Sequence, residues 1–236
     1  MRLRLGTYNV HGFRAGVDRV VRVVHQLDAD ALLLQETGPR RALARFAESM
    51  GLGVAADPPS AFRRRVKNAV LARPPWVLAS AELERFPHSS MAHPRGMLLA
   101  ELRLGPDRVL VVSVQFGLAG PERGTHAGHL LERVGKLDGL IVVGGDLNAT
   151  PDHGVPTRIG ERLVDVWAAA GEGVGFTFPA SAPASRIDYL FVAPDEQISA
   201  VGLGGTGAEL ASDHLPIVAD LLLPDMAGSA IADPKR

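Results

Sequence analysis

Two hydrophobic periods run through the chain. Over residues 3–10 apolar and polar positions alternate and stop at Gly12, the period of a strand. Val17, Val20, Val21 and Val24 recur at helical spacing and predict a helix over residues 17–27. Residues 31–34 form a short continuous apolar run, a buried strand that ends at Gln35-Glu36. A helix follows over 40–50 and is closed by Gly51. Strand-like segments lie at 68–72 and 76–78, separated by Pro74-Pro75. The runs 97–104 and 109–114 predict neighbouring strands around a Gly105-Pro106-Asp107 turn. Further helices are expected over 122–137 and over 162–170, the second ending at Gly171. Between them, residues 140–143 are β-branched at three of four positions and read as a buried strand. Late strands fall at 189–192 and 216–223, and the tail from Pro224 is small, polar and frayed.

Strands outnumber helices, and they occur both in adjacent pairs and in alternation with helices. That pattern argues an α/β protein with mixed sheets. A chain of 236 residues suits one large α/β unit and buries enough surface to need no disulfide or structural metal. No repeat or linker interrupts it, so residues 1–224 read as a single domain followed by a short flexible tail, 225–236. The Gly/Pro/Ser-rich stretch 171–185 reads as a loop inside that domain, free to move.

Composition removes several function classes. The absence of cysteine excludes disulfides, thiolate catalysis and cysteine-ligated zinc. A formal net charge of -1 excludes a polyanion binder built on overall charge. The exception is the cationic run Arg63 to Lys67, read as a solvated loop in preference to a substrate rim. The N-terminal MRLRLGTYNVHG lacks the apolar core of a signal peptide, and no segment approaches the roughly 20 apolar residues of a membrane span. A cytoplasmic monomer is therefore expected.

The candidate chemistry gathers at strand ends. Directly after the run 140–143 comes GGDLNAT, which brings an acid, Asp146, and an amide, Asn148, onto one face. Asn9 and His11 follow the first strand, Glu36 the second, and Gln115 the run 109–114. Asp188 opens the strand 189–192, and Ser212-Asp213-His214 precedes 216–223. One polar residue at a strand end is a turn or cap. Six such places, with these residue types, point to a site for an anionic ligand.

TYNVHG (7–12), LLQET (33–37), GGDLNAT (144–150), SRIDYLFV (185–192) and SDHLPIVADL (212–221) occur in this order, with weaker matches at KNAVLAR (67–73), PRGML (94–98) and PERGTHAGHLLERV (121–134). Together they resemble the endonuclease/exonuclease/phosphatase superfamily. The resemblance implies a four-layer α/β sandwich, two mixed β-sheets packed face to face with helices outside. It also implies hydrolysis of a phosphate ester, of a small molecule or a nucleic acid, with a divalent metal, Mg²⁺ first and Mn²⁺ as an alternative. Glu36 is then a metal ligand, with Asp213 adding a direct or water-mediated contact. Asp188 and His214 form an acid–imidazole pair, and either His214 or Asp146 handles the attacking water. Asn9 and Asn148 donate to phosphoryl oxygens or orient neighbouring ligands. Asn68 either contacts phosphate or opens a strand.

The chain departs from the family at SVQFGL (113–118), where the usual pattern resembles S-T-H-L-G-L. Gln115 can donate a hydrogen bond to phosphate but cannot hand a proton to a leaving group. This substitution motivates the alternative of a non-catalytic phosphate-binding relative. Within the enzyme reading, near-neutral charge and 5% aromatic content favour a small phosphate ester over a nuclease. Arg95 reads as a loop charge, His126 and His129 as surface histidines, His88, His93 and His153 as lone loop histidines, and Trp76 and Trp167 as core.

Overall fold

A computed structural model of the chain describes residues 1–58, 64–87, 93–194 and 197–223. The expectations for Arg63, His88 and the tail from Pro224 lie outside these residues. One six-stranded sheet holds β1 (Arg2–Asn9), β2 (Ala31–Gln35), β3 (Gly53–Ala56), β4 (Ala69–Ala72), β11 (Gln197–Leu203) and β12 (Ile217–Leu222) in the order β11-β12-β1-β2-β4-β3. The other holds β5 (Val77–Arg85), β6 (Gly96–Leu104), β7 (Asp107–Gln115), β8 (Leu140–Asp146), β9 (Val164–Asp165) and β10 (Asp188–Val192) in the order β5-β6-β7-β8-β10-β9. Each sheet is mixed. β1 runs parallel to β2 and β7 parallel to β8, while their other neighbours run antiparallel.

Side-chain parity turns these sheets into four layers. On β1, Leu3 and Leu5 face the other sheet, while Tyr8 faces outward. The inner layer joins Leu5 and Leu33 to Val111, Val142 and Leu190. Outside the first sheet lie α1 (Val17–Leu27) and α2 (Arg40–Met50), whose Val20, Val24 and Phe46 cover Tyr8, Leu32 and Leu34. Outside the second lie α3 (Gly120–Val134) and α4 (Gly154–Gly160), whose Leu130 and Ile159 cover Val112, Val143 and Phe191. Each such buried aliphatic side chain contributes about 1.5–3 kcal/mol over leaving it in water. The α/β sandwich is as expected, and no helix among the described residues is long and apolar enough to cross a membrane.

The same parity carries the site. Inner-face positions run Leu3, Leu5, Thr7, Asn9 on β1; Val109, Val111, Ser113, Gln115 on β7; and Val142, Gly144, Asp146 on β8. Apolar residues fill one end of the inter-sheet space and polar ones the other. At the changeover Gln35 Nε2 donates to Ser113 Oγ at 3.1 Å and to the Leu33 carbonyl at 3.0 Å, bracing sheet to sheet. Gly144 lets the sheets close here, since a Cβ on it would lie 2.6 Å from Leu33 and 2.7 Å from Leu190.

Some elements differ from expectation. The helix expected over 162–170 is the short strand β9 followed by α5 (Val166–Ala170). Asp165 ends the strand and caps the helix, its Oδ1 accepting the N–H groups of Trp167 and Ala168. β5 runs from Val77 to Arg85, far beyond the expected 76–78, because its half-exposed, polar sequence hides a strand that β6 pairs almost throughout. β3, β11 and α4 had no readable signal. His126 is no surface residue: it is fully buried, stacked on Phe86 at 4.6 Å, with Nδ1 accepting the Gly117 N–H.

Candidate active site

Asp146 closes β8 directly opposite Asp188, the first residue of β10, and beside Gln115, the last of β7. Its Oδ2 accepts Asn9 Nδ2 at 3.0 Å and Gln115 Nε2 at 3.3 Å, and its Oδ1 accepts the Asn148 N–H at 2.9 Å. His214 arrives from the turn before β12. Its Nδ1 lies 2.8 Å from Asp188 Oδ2, and its Nε2 lies 3.4 Å from Asn9 Nδ2. The structure thus gathers five predicted residues, Asn9, Gln115, Asp146, Asp188 and His214, from both sheets. Asn148 adjoins them at φ 49°, with Nδ2 bonded to the Phe116 carbonyl.

Electrostatics follow from burial. Burial and then the neighbouring Asp188 carboxylate raise the Asp146 pKa above the usual carboxylate range. Burial works against charge on His214, but the Asp188 charge and hydrogen bond outweigh it and hold the imidazolium up at about 10. The cluster therefore holds two carboxylates around one protonated ring.

Glu36 lies on the other flank, just beyond β2, in a left-handed turn at φ 51°. Its Oε1 accepts Gln115 Nε2 at 2.7 Å, and Arg95 approaches to 3.9 Å. Burial alone would raise its pKa, yet the Gln115 bond and the Arg95 charge leave it lowered, hence ionised. Gln115, expected to face phosphate, instead ties Glu36 to Asp146 through one amide nitrogen.

Two expected contacts take another form. Both N–H groups of Asn68 are used by the Gly96 and Ser113 carbonyls, each at 2.9 Å, and the side chain is fully buried. It braces the two sheets and has no donor left for phosphate. Asp213 pairs with His11 Nδ1 at 3.2 Å and lines a different cavity from the one Glu36 lines. A shared ion between Glu36 and Asp213 finds no support in that placement.

The donor set fits a hard divalent cation. Asp146, Asp188 and His214 offer ligand atoms within 4.8 Å of one another. His214, protonated and bonded to Asp188, has no free lone pair, so the oxygens are the usable donors. Asp188 Oδ1 and Gln115 Oε1 are buried without a partner, and Gln115 lies against the ionised Glu36. Oxygen donors of this kind suit Mg²⁺ or Ca²⁺ rather than a soft metal.

Sequence reasoning missed what positions His214. The stretch 171–185 is tied down. Thr177 Oγ1 accepts the N–H groups of Ile187 and Asp188, both at 3.3 Å, and its carbonyl accepts that of Leu215 at 2.7 Å. Phe178 packs its ring 4.9 Å from the imidazole. Two phenylalanines, Phe176 and Phe178, in an otherwise small and polar stretch were the available signal.

A sequence model described as the Endonuclease/Exonuclease/phosphatase family matches residues 6–214. A comparison with curated protein sequences gave no match. Among solved structures, the chain resembles an endonuclease/exonuclease/phosphatase from Bacteroides vulgatus at TM-score 0.82 and 16% identity, covering 95% of this chain and 100% of that one. Truncated TDP2 of Caenorhabditis elegans matches at TM-score 0.75 and 21% identity, covering 94% and 98%. A mannosyl-6-phosphatase of Bacteroides thetaiotaomicron matches at 0.78 and 16%, covering 94% and 100%.

Proposed function

The chain belongs to the endonuclease/exonuclease/phosphatase family, whose members hydrolyse phosphate ester bonds, and from that premise we propose that it is a metal-dependent phosphoesterase whose attacking water is deprotonated at Asp146. The observation that carries the reading is the buried Asp146–Asp188–His214 cluster with Asn9 beside it. Asp146 is an acceptor whose raised pKa brings it nearer to neutral pH, where a base works best. His214 is the complementary group: a fixed imidazolium whose Nε2 faces the charge that develops on the phosphoryl oxygens. Asp188 holds the ring in place and keeps it charged. Asn9 supplies its amide to the same oxygens, and Asn148 holds the Asp146 carboxylate through its backbone N–H.

Water's oxygen bonds to phosphorus, its proton passes to Asp146, and the ester P–O bond breaks, its electron pair leaving on the alkoxide or aryloxide oxygen, which takes a proton from solvent. Mg²⁺ or Mn²⁺, held by Glu36 with neighbouring oxygens, would supply Lewis-acid charge to the phosphoryl group. Gln115 has no proton to give. Esters with good leaving groups are therefore turned over fastest, whether diester or monoester.

The test is hydrolysis of aryl and alkyl phosphate mono- and diesters and an oligonucleotide, with Mg²⁺ or Mn²⁺. Metal-dependent turnover that Asp146→Asn and His214→Ala abolish supports the reading. Absence of turnover across the panel, or full activity in both variants, overturns it.

A further inference from the structure

We propose that the cavity beside Glu36 is a subsite for a second phosphate group on the substrate, held by Arg14, Lys67 and Arg95. The cavity measures about 550 Å³; Glu36 and Gln115 line it together with Arg14, Lys67, His93 and Arg95. It therefore shares two residues with the site just described, and a group seated there belongs to the same molecule as the scissile ester. The inference rests on the phosphoesterase reading.

Charge is the first argument. The chain as a whole carries a formal net charge of -1, and its cations are mostly engaged. Arg4 pairs with Asp220, Arg45 with Asp18, Arg186 with Asp165 and Lys136 with Glu132. Among the described residues, Lys67 and Arg14 make neither an ion pair nor a side-chain hydrogen bond. Arg95 reaches Glu36 only at 3.9 Å, although 14% of its side chain is exposed. Arg14 and Lys67 thus join Arg95 in a concavity where Glu36 is the one acidic residue of the described lining, and the excess positive charge favours an entering anion.

Construction is the second argument. The segment before Lys67 is a loop, as its sequence suggested, but only partly solvated: Arg64 and Lys67 are exposed, whereas Arg65 is half-buried and Val66 buried. Asp57, almost fully buried, accepts Arg65 Nε at 2.7 Å and the Val66 N–H at 3.2 Å. Lys67 itself sits at φ 65°, a conformation costly for a residue with a Cβ. Thr37 holds it there, its N–H and hydroxyl donating to the Lys67 carbonyl at 2.9 and 3.0 Å. The strained residue is thus fixed at the cavity wall, with its ammonium group left unpaired.

The described lining residues include no phenylalanine, tyrosine or tryptophan on which a base could stack. A small ester with two phosphates is therefore favoured over a nucleic-acid strand.

The experiment titrates the full chain calorimetrically with alkanediol bisphosphates, from ethanediol to hexanediol, each against the matching alkanol monophosphate. A short single-stranded oligonucleotide forms a separate arm. At least one bisphosphate is expected to bind on the order of tenfold more tightly than its monophosphate, the worth of one charge-assisted hydrogen bond. Lys67→Gln and Arg14→Gln should each shrink that ratio, while Lys136→Gln, just beyond α3 and paired with Glu132, leaves it unchanged. Equal affinity for one and two phosphates overturns the subsite, as does a ratio untouched by both variants. Tighter binding of the oligonucleotide than of every bisphosphate overturns the small-substrate assignment. Binding is read without turnover, so loss of the phosphoesterase reading in the hydrolysis panel remains distinguishable from loss of the subsite.

Discussion

Asp188 and His214 expose 1% and 7% of their side chains, whereas Glu36, across Asp146 from them, exposes 35%. The sealed flank is built from strand ends and a turn that hydrogen bonds lock, so its charges act in a low dielectric and hold one geometry. The open flank is built from loop residues in unfavourable backbone conformations, Glu36 and Lys67. Its groups are free to meet an incoming ion or phosphate. Proton handling needs fixed distances and a perturbed pKa, and selection needs access. This fold gives each task to the flank that suits it, with Gln115 as the bridge between them.

The contrast predicts a graded response to mutation. Asp146→Asn and His214→Ala strike the sealed flank and should cut kcat by about 10²–10⁴-fold, with a native circular-dichroism spectrum. A rise of similar size in KM alone, with kcat kept, would place these residues in binding instead.

Asp188→Asn should lower the His214 pKa from about 10 toward ordinary histidine, readable by NMR titration of the ring. The sign for stability follows from that shift. A pKa raised in the folded state gives stability that is complete below the unfolded value, near 6.5, and lost as pH rises through about 10. Urea unfolding should show the wild-type advantage over Asp188→Asn shrinking across that window. A constant advantage would mean that the ring is neutral in the folded protein.

On the open flank, Glu36→Gln should leave thermal stability nearly intact but raise the metal concentration for half-maximal activity. The expected rise is at least the roughly 10–100-fold that outer-shell partners of a metal contribute. Unchanged metal activation would move the ion to the Asp146 side and erase the proposed division.

The smallest effect on activity is expected at His126, which supports the loop after Gln115 through the Gly117 N–H. Burial lowers its pKa to about 4, below the 6.5 of the free side chain. The unfolded chain therefore takes up the proton first, and stability falls as pH drops from about 6.5 toward 4. His126→Gln should flatten that fall in thermal melts between these pH values.

Much of this molecule was readable in one dimension. The strands over 31–34 and 140–143 announced themselves because they are buried on both faces and so continuously apolar. Asp146, Asp188 and His214 stood out as acids and an imidazole at strand ends. Most of β5 and all of β11 were not readable, because their burial patterns are mostly exposed or intermediate and carry no clean alternation. His126 was misread because two histidines on a helix look solvated until an aromatic pair, Phe86 and Phe116, closes over one of them.

The sequence alone determined an α/β chain with mixed sheets and the residues at the strand ends, because period and parity are local properties of the backbone, while the four layers followed from the resemblance of its motifs to a family. Only the tertiary structure decided what each polar group does. Asn68 became a brace, Gln115 a bridge between two carboxylates, Arg65 an anchor and Lys67 a free cation. Hydrogen-bond partners and desolvation depend on which distant strands and loops meet, from Asn9 at one end to His214 at the other, and no local pattern encodes that meeting.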